Sequence, residues 1–333
     1  MIRKEFGGEP WGNVDPVVMD AILRVNAEPV DAWDGKDHYT KQAVELVQRS
    51  FREKIWAVMT VNGIGANIIG LKAMLNRHET VVCADVTHVN SWYEAGAFEF
   101  TLGGKILTAE HENGKLTVPA LEKTLQDHAR FGCVPRVVVL SQPTEFGTVY
   151  TVEELKAICD FSHARDMYVF VDGARLGYAI AALGTDLTGM IEAADIDAFT
   201  IGGGKAGAMF GDMVVFRREV FARNLEFIRK QSFQHFDKSK FLGVQMVALL
   251  TDDRWLENGR KANAMVKLLS NKLEEKGLHS PYPVESNILF VQIPEERMPA
   301  DVLHYSDAEK KLVRFSATAE ITEADVQTLV ELF

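Results

Sequence analysis

Basic residues, cysteines and long apolar runs are all scarce in this sequence of 333 residues. Lys and Arg number 36 against 47 Asp and Glu, and the net charge of -11 predicts no basic face for nucleic acid. No apolar run approaches the roughly 20 residues of a membrane span, and the opening MIRKEFGGEP lacks the apolar core of a signal peptide. The three cysteines, at positions 83, 133 and 159, lack metal-binding spacing and predict reduced thiols. We therefore expect a cytoplasmic protein that binds neither nucleic acid nor membrane.

Strand-like and helix-like patterns alternate through the middle of the chain. Continuous apolar runs such as IWAVMTV (55–61) and TVVCADV (80–86) are typical of strands buried on both faces of a sheet. The segments between such runs have helical spacing, which predicts an α/β fold with a mostly parallel sheet covered on both faces. Later, a long amphipathic helix pattern precedes two strand patterns and a final helix. We predict an N-terminal arm and helix (1–40), a large α/β domain (41–240) and a smaller α+β domain (241–333).

Ligands of such sheets bind outside the carboxyl ends of the strands, and four predicted strand ends carry candidate residues. Gly63 and Gly65 follow the first strand, where a tight turn would let the next helix present free N–H groups to a phosphate. His88, Asp172 and Lys205 follow three further strands. A strand-end Asp can hold a protonated pyridine nitrogen, and a lysine after three glycines can form a Schiff base.

Each of these signals also has an ordinary structural explanation. The glycines could simply form a tight turn, and the Asp could cap the following helix. The lysine could be solvated in a flexible turn, and the histidine could be a lone residue without a role in chemistry. Their order is more informative, because a glycine turn, a His, an Asp and then a Lys are the arrangement of a site for pyridoxal 5'-phosphate (PLP).

In its motifs the chain resembles the threonine aldolase family of fold-type I PLP enzymes, and most of all the bacterial low-specificity L-threonine aldolase branch. The likeness extends from about Pro16 to Phe333. It rests on the segments NGIGAN (62–67), THV (87–89), EAGA (94–97), SQPTEFGTVYTVEELKAI (141–158), VDGARL (171–176), GGGKAGAMFGD (202–212), RKQ (229–231), PVESNILFVQIP (283–294) and VRF (313–315). The resemblance implies the aspartate-aminotransferase-like PLP fold with a seven-stranded type of sheet, PLP as cofactor, and a homodimer or homotetramer with shared active sites.

The resemblance also assigns roles to individual residues. Lys205 would hold PLP covalently, Asp172 would pair with the pyridine nitrogen, and His88 would stack on the ring. The phosphate would lie at a helix start, with a basic residue from a neighbouring subunit, and two arginines would bind the substrate carboxylate. The residues concerned are Gly63, Ile64, Gly65, Asn67 and Lys230 for the phosphate side, Arg175 for cofactor and carboxylate, and Arg314 for the carboxylate.

Several positions depart from the family's pattern. The family's N-terminal Ser-Asp pair is Gly8 and Glu9 here, and a tyrosine of the family is replaced by Asp34. His88 and Glu94 are six positions apart, whereas relatives usually have five. These differences leave the cofactor residues intact and fall at substrate contacts, which are marked here by Gly8 and Asp34.

The reaction implied by the resemblance is retro-aldol cleavage of a β-hydroxy-α-amino acid, of the L-threonine or L-allo-threonine type, to glycine and an aldehyde. His88 is the candidate base for the β-hydroxyl proton. Other PLP reactions on the same residues stay open, namely β-elimination, racemisation and transamination, and so does a non-catalytic relative. A nicotinamide-dependent dehydrogenase is disfavoured because no GxGxxG follows the first strand. No metal ligand is predicted.

Overall fold

The computed structural model describes residues 6–29, 32–130, 132–299 and 306–333. Its strands are β1 (Trp56–Thr60), β2 (Glu79–Ala84), β3 (Ile106–Ala109), β4 (His111–Glu112), β5 (Lys115–Leu116), β6 (Val134–Ser141), β7 (Tyr168–Asp172), β8 (Ala198–Gly202), β9 (Asp212–Phe216), β10 (Ile288–Gln292) and β11 (Leu312–Ser316). Its α-helices are α1 (Pro16–Asn26), α2 (His38–Gln48), α3 (Gly63–Met74), α4 (Ala97–Leu102), α5 (Val118–Ala129), α6 (Val152–His163), α7 (Leu176–Leu183), α8 (Leu225–Gln231), α9 (Lys240–Leu250), α10 (Arg254–Glu275) and α11 (Glu323–Val330). Within the described ranges, no helix is both long enough and apolar enough to cross a membrane.

Seven strands form one central sheet in the spatial order β1-β9-β8-β7-β6-β2-β3. The five strands from β8 to β3 run parallel, whereas β9 is antiparallel to both β8 and β1. Strand side chains alternate between two apolar layers, because successive side chains point to opposite faces of a sheet. Along β6, Val137 and Val139 lie in one layer, and Val138 and Leu140 in the other. The predicted α/β fold with a mostly parallel sheet is therefore confirmed.

A second core lies in the C-terminal part of the chain. There β10 and β11 pair antiparallel, and α10 and α11 pack around them. The 22-residue helix α10 places Ala262, Val266, Leu269 and Leu273 in this core, at the spacing of one helix face. Phe6, from the N-terminal arm, is buried in the same core. The domain boundaries near residues 40 and 240 stay predictions.

Capping residues explain where two of the helices begin. The Asp15 side chain accepts a hydrogen bond from the Val17 N–H at 2.9 Å, and Pro16 occupies the first turn of α1. The Thr151 and Glu154 side chains form a capping box at the start of α6. Both starts are determined by residues close together in the chain, because a cap is a local interaction.

Candidate active site

Lys205 lies in a glycine turn between β8 and β9, at the carboxyl edge of the parallel strands. The Gly203 N–H donates to the Asp212 carboxylate at 2.8 Å, and the Tyr178 hydroxyl donates to the Lys205 carbonyl oxygen at 2.6 Å. The Lys205 amine itself makes no hydrogen bond or ion pair with the part of the chain that the structure describes. Burial and the charge of Arg175 lower the pKa of this amine. A neutral amine is a nucleophile towards a carbonyl carbon, as covalent attachment of PLP requires.

Asp172 ends β7 next to Ser141 of β6. Its buried carboxylate accepts hydrogen bonds from the Asn67 amide at 2.8 Å and from the Ala174 N–H at 3.0 Å. The alternative explanation as a helix cap is wrong, because α7 begins only at Leu176 and has no side-chain cap. A buried carboxylate with neutral donors is stabilised by a nearby cation, and a protonated pyridine nitrogen would be one.

A chain of side-chain hydrogen bonds joins His88 to Asp172. His88 Nδ1 lies 2.9 Å from Glu94 Oε1, and Asn67 Nδ2 donates to that same oxygen at 3.0 Å as well as to Asp172. Glu94 and Asn67 are both buried. Glu94 Oε2 and Asn67 Oδ1 have no hydrogen-bond partner among the described residues. Sequence reasoning gave Glu94 no role, although its unusual spacing from His88 was a signal.

The imidazole of His88 is electrostatically tuned by its neighbours. Burial by itself lowers the pKa of His88, but the Glu94 hydrogen bond and the charge of Asp172 outweigh burial and raise it. Because Nδ1 faces Glu94, Nε2 is the ring nitrogen left for a ligand. The Tyr93 ring stacks on the imidazole, with 6.4 Å between centroids. His88 therefore presents a flat ring whose Nε2 is available to a ligand, and hydrogen bonds through Glu94 and Asn67 link it to Asp172.

The glycines predicted to form a turn after β1 lie instead in the first turn of α3, which begins at Gly63. The Asn62 side chain caps this helix by accepting from the Gly65 N–H at 2.9 Å. A Cβ at Gly65 would lie 2.3 Å from the Gln234 side chain, and one at Gly63 would lie 3.1 Å from Asp212. A side chain at Gly65 would therefore displace the Gln234 side chain, which accepts a hydrogen bond from the Val61 N–H. The free N–H groups at a helix start suit a phosphate.

Asp212 is a buried carboxylate that sequence reasoning did not single out. Its Oδ1 accepts from the Gly203 and Gly204 N–H groups at 2.8 and 3.3 Å. Burial raises the pKa of Asp212, although the charge of Lys205 opposes this effect. The only sequence signal was an acidic residue at the start of an apolar strand.

Asp34 and Lys230, assigned separately from the sequence, lie together in one charged cluster. Lys230 Nζ is 3.2 Å and His235 Nδ1 is 2.7 Å from the Asp34 carboxylate, and Arg229 forms a further ion pair with it. Burial alone raises the pKa of Asp34, but the hydrogen bonds from Lys230 and Arg229 lower it. The cluster adjoins the start of α3 through Gln234, whose side chain accepts from the N–H that follows β1 at 2.9 Å. The roles of Asp34 at the substrate and of Lys230 at a neighbouring phosphate stay predictions.

Arg175 and Arg314 lie near one another, as their expected common ligand requires. Arg175 makes a two-point ion pair with Glu9, at 2.5 and 2.9 Å. Burial and the charge of Arg175 lower the pKa of Arg314, whose guanidinium has no hydrogen bond or ion pair with the described residues. A Cβ at Gly8 would lie 3.8 Å from Arg314 Nη1. The structure thus brings these three predicted residues together and adds Glu9. Their substrate roles stay predictions.

Glu145 is a further carboxylate that sequence reasoning missed. It lies in a turn after β6, closed by a hydrogen bond from the Gly147 N–H to the Thr144 carbonyl at 2.9 Å. Its negative charge favours the protonated forms of His88 and Lys205. The available signal was its position in PTEFG, directly after a buried strand.

These groups suit PLP by their chemistry. Lys205 offers an amine with no partner among the described residues to the aldehyde, and Asp172 offers a buried carboxylate to the pyridine nitrogen. His88 offers a flat ring, and the start of α3 offers N–H groups to a phosphate. Three of these groups follow strands at one edge of the sheet, where α/β folds bind ligands.

Comparison with known proteins assigns the chain to a family. Residues 17–296 match the beta-eliminating lyase family. The chain is 32% identical over 300 residues to a low specificity L-threonine aldolase of Pseudomonas sp. (strain NCIMB 10558). It is 31% identical over 300 residues to a low specificity L-threonine aldolase of Pseudomonas aeruginosa. Each alignment covers 89% of this chain and 86% of the relative.

Solved structures agree with this assignment. The Leishmania major threonine aldolase has a TM-score of 0.91 at 28% sequence identity, covering 98% of this chain and 97% of that chain. The aspartate aminotransferase of Thermus thermophilus has a TM-score of 0.69 at 18% identity, covering 97% and 88%, and shows the shared fold. The predicted aspartate-aminotransferase-like PLP fold and the resemblance to threonine aldolases are confirmed. The chain therefore belongs to the beta-eliminating lyase family, and it is a PLP-dependent lyase with threonine aldolases among its relatives.

Proposed function

We propose that this chain cleaves a β-hydroxy-α-amino acid, of the L-threonine or L-allo-threonine type, to glycine and an aldehyde by a retro-aldol reaction. One observation carries the proposal: the cofactor residues Lys205 and Asp172 share a site with His88 and with the guanidinium of Arg314, which has no ion pair within the described ranges. Relatives named low specificity L-threonine aldolase, which align with 89% of the chain, support it further.

Arg175 and Arg314 form the end of the site where the substrate carboxylate is expected to bind, here called the carboxylate end. This end is proposed to determine which bond of the substrate reacts. Bound PLP supplies an electron sink for the electron pair released when the Cα–Cβ bond breaks. Lys205 would hold the cofactor, and Asp172 would stabilise the positive charge on its pyridine nitrogen. Arg314 binds the substrate carboxylate by charge-assisted hydrogen bonds and so fixes the orientation of the groups at Cα.

His88 is proposed to take the β-hydroxyl proton as the bond breaks. Its Nδ1 lies 2.9 Å from Glu94, so Nε2 is the basic nitrogen available to the substrate. Above its raised pKa the imidazole is neutral and accepts a proton. The Glu94 carboxylate then stabilises the protonated ring. The charge of Glu145 favours the same protonated state and adds to this effect.

β-Elimination is the second candidate reaction, because the matching family is described as beta-eliminating lyases. The same residues would bind the same amino acid, and the outcome would depend on which bond at Cα is aligned for cleavage. The two reactions differ in products. Retro-aldol cleavage of threonine yields glycine and acetaldehyde, whereas β-elimination yields 2-oxobutanoate and ammonia.

Product analysis separates these reactions. PLP-saturated protein is incubated with L-threonine or L-allo-threonine, and glycine, acetaldehyde and 2-oxobutanoate are quantified together. We expect glycine and acetaldehyde in equal amounts, and neither product from the Lys205→Ala control. 2-Oxobutanoate without glycine would replace the proposal by β-elimination. A PLP-loaded protein that releases none of the three would refute both reactions for these substrates.

A homodimer, or a homotetramer built from dimers, is the proposed working form. Several large apolar side chains are exposed in the single chain. Tyr93, next to Glu94, is 84% exposed, Phe233, next to Gln234, is 90% exposed, and Ile64 at the start of α3 is 36% exposed. Phe100 in α4 is 93% exposed. Exposed apolar side chains near a functional site favour a protein interface. Sedimentation of the PLP-loaded protein should give the mass of a dimer or tetramer. A monomer at micromolar concentration would contradict the proposal.

The cytoplasm is the proposed location. Cys83, Cys133 and Cys159 form no disulfide, as is typical of a reducing compartment. Fractionation of the source cells should recover the protein with the cytoplasmic enzymes, and recovery in a secreted fraction would contradict this.

A further inference from the structure

The N-terminal arm next to the site is firmly held. Phe6 is buried in the C-terminal core, and Gly7 pairs with Ser316 as an isolated bridge parallel to β11. The Asn13 backbone and side-chain N–H groups donate to the two carboxylate oxygens of Glu320 at 2.8 and 2.9 Å. The arm is therefore anchored on both sides of Glu9, and Glu9 occupies a fixed position.

The carboxylate of Glu9 is fully used inside the protein. Arg175 Nε and Nη2 donate to its two oxygens at 2.5 and 2.9 Å, and Asn287 Nδ2 donates to Oε1 at 2.8 Å. The Glu9 side chain is 1% exposed. Burial alone raises the pKa of Glu9, but the charge and hydrogen bonds of Arg175 outweigh burial and lower it well below its usual range. Glu9 is therefore an ionised, resident counter-ion of Arg175.

This pairing changes the charge available to a substrate. One edge of the Arg175 guanidinium is committed to Glu9, and the charges of the pair cancel. Arg314 is left as the guanidinium without an ion-pair partner in the described part of the carboxylate end. Glu145 adds a further negative charge that acts on both arginines. The site thus has uncompensated cationic charge for one carboxylate, and the negative charges of Glu9 and Glu145 disfavour a second one.

We propose that Glu9 determines the class of substrate: it restricts the site to β-hydroxy-α-amino acids with an uncharged side chain and excludes those with a second carboxylate on Cβ. Glu9 acts as a positioning residue, because it touches Arg175 and not the reacting atoms. The inference rests on the proposed function for its choice of substrate, but its charge argument holds for any α-amino acid that binds at Arg314.

Ligand binding tests the inference without any bond cleavage. L-Alanine and L-aspartate are titrated into the PLP-loaded protein, and the change in cofactor absorbance gives a dissociation constant for each. We expect wild type to bind alanine more tightly than aspartate. Glu9→Gln removes one negative charge and should shift the ratio of the two constants towards aspartate by about tenfold or more. Glu9→Asp keeps the charge and is the matched control, with an unchanged ratio expected.

Three outcomes would overturn the inference. The first is a wild-type protein that binds aspartate as tightly as alanine. This comparison needs no variant, so the inference can be tested even if Glu9→Gln fails to fold. Equal weakening of both ligands in Glu9→Gln would make Glu9 merely structural, and an equal shift in Glu9→Asp would remove charge as the cause. The proposed function is judged separately, by glycine release from threonine. Alanine preference without glycine release would refute the reaction and keep the inference.

Discussion

A methyl group added at Gly202 has no room between two strand ends. Its Cβ would lie 2.2 Å from the Ala174 carbonyl oxygen, and 2.6 and 2.7 Å from the carbonyl carbon and Cα of that residue. Ordinary carbon contacts lie near 3.5 Å, so the backbone at Ala174 must move by roughly 1 Å. Ala174 lies just after Asp172, and Gly202 lies just before Lys205. The shift therefore changes the distance between the two residues that hold the cofactor.

We expect Gly202→Ala to lower the free energy of unfolding by about 3 kcal/mol and kcat/KM by roughly 100-fold. Urea unfolding and initial rates at saturating PLP measure the two effects. Gly204→Ala is the matched control for stability, because its Cβ would meet nothing within 4 Å. Its free energy of unfolding should stay within about 1 kcal/mol of wild type. A Gly202→Ala protein with wild-type stability and rate would refute the packing argument.

Three further substitutions test the site. Glu94→Gln should lower the pKa of His88 in an NMR titration, because the variant loses the carboxylate hydrogen bond that raises it. The stability that comes from the raised pKa is present below the ordinary value of about 6.5 and is lost as pH rises through the folded value. The variant should therefore be destabilised more at pH 5.5 than at pH 8.5, and a pH-independent difference would contradict this. Arg314→Lys should raise KM for threonine by roughly 10- to 100-fold with little loss of stability, because lysine cannot bind the substrate carboxylate at two points. An unchanged KM would show that Arg314 does not bind the substrate carboxylate. Asn67→Ala should lower the free energy of unfolding in urea by about 3 kcal/mol, because two buried carboxylates, Asp172 and Glu94, lose a hydrogen-bond donor. A decrease of less than about 1 kcal/mol would show that the carboxylates find other donors.

The central sheet could be predicted because its signals are local. Strands such as β2 and β8 are buried along their whole length, so they appear in the sequence as unbroken apolar runs. The convergence of His88, Asp172 and Lys205 followed from the same pattern, because all three follow strands that end at one edge. The short strands β3, β4 and β5 were not predicted, since two to four residues carry little periodicity.

Much of the site could not be predicted, because it depends on residues that meet only in the folded chain. Glu9 and Arg175 are separated by 166 positions, and no local pattern indicates that they pair. Asp34 meets Lys230 through the packing of the segment before α2 against α8. Asp212 resembles any acidic residue at the start of a strand until its burial is known. Ion pairs between residues far apart in the sequence are determined by the folded structure and leave no local pattern.

Lys205 is the residue expected to carry the cofactor, and the other roles in the site depend on it. PLP-loaded protein reduced with borohydride and then digested should yield one peptide with a stable pyridoxyl group, and mass spectrometry should place that group on Lys205. The Lys205→Ala protein should yield no such peptide. A pyridoxyl group on another lysine, such as Lys230 or Lys261, or its persistence in Lys205→Ala, would contradict the arrangement of the site.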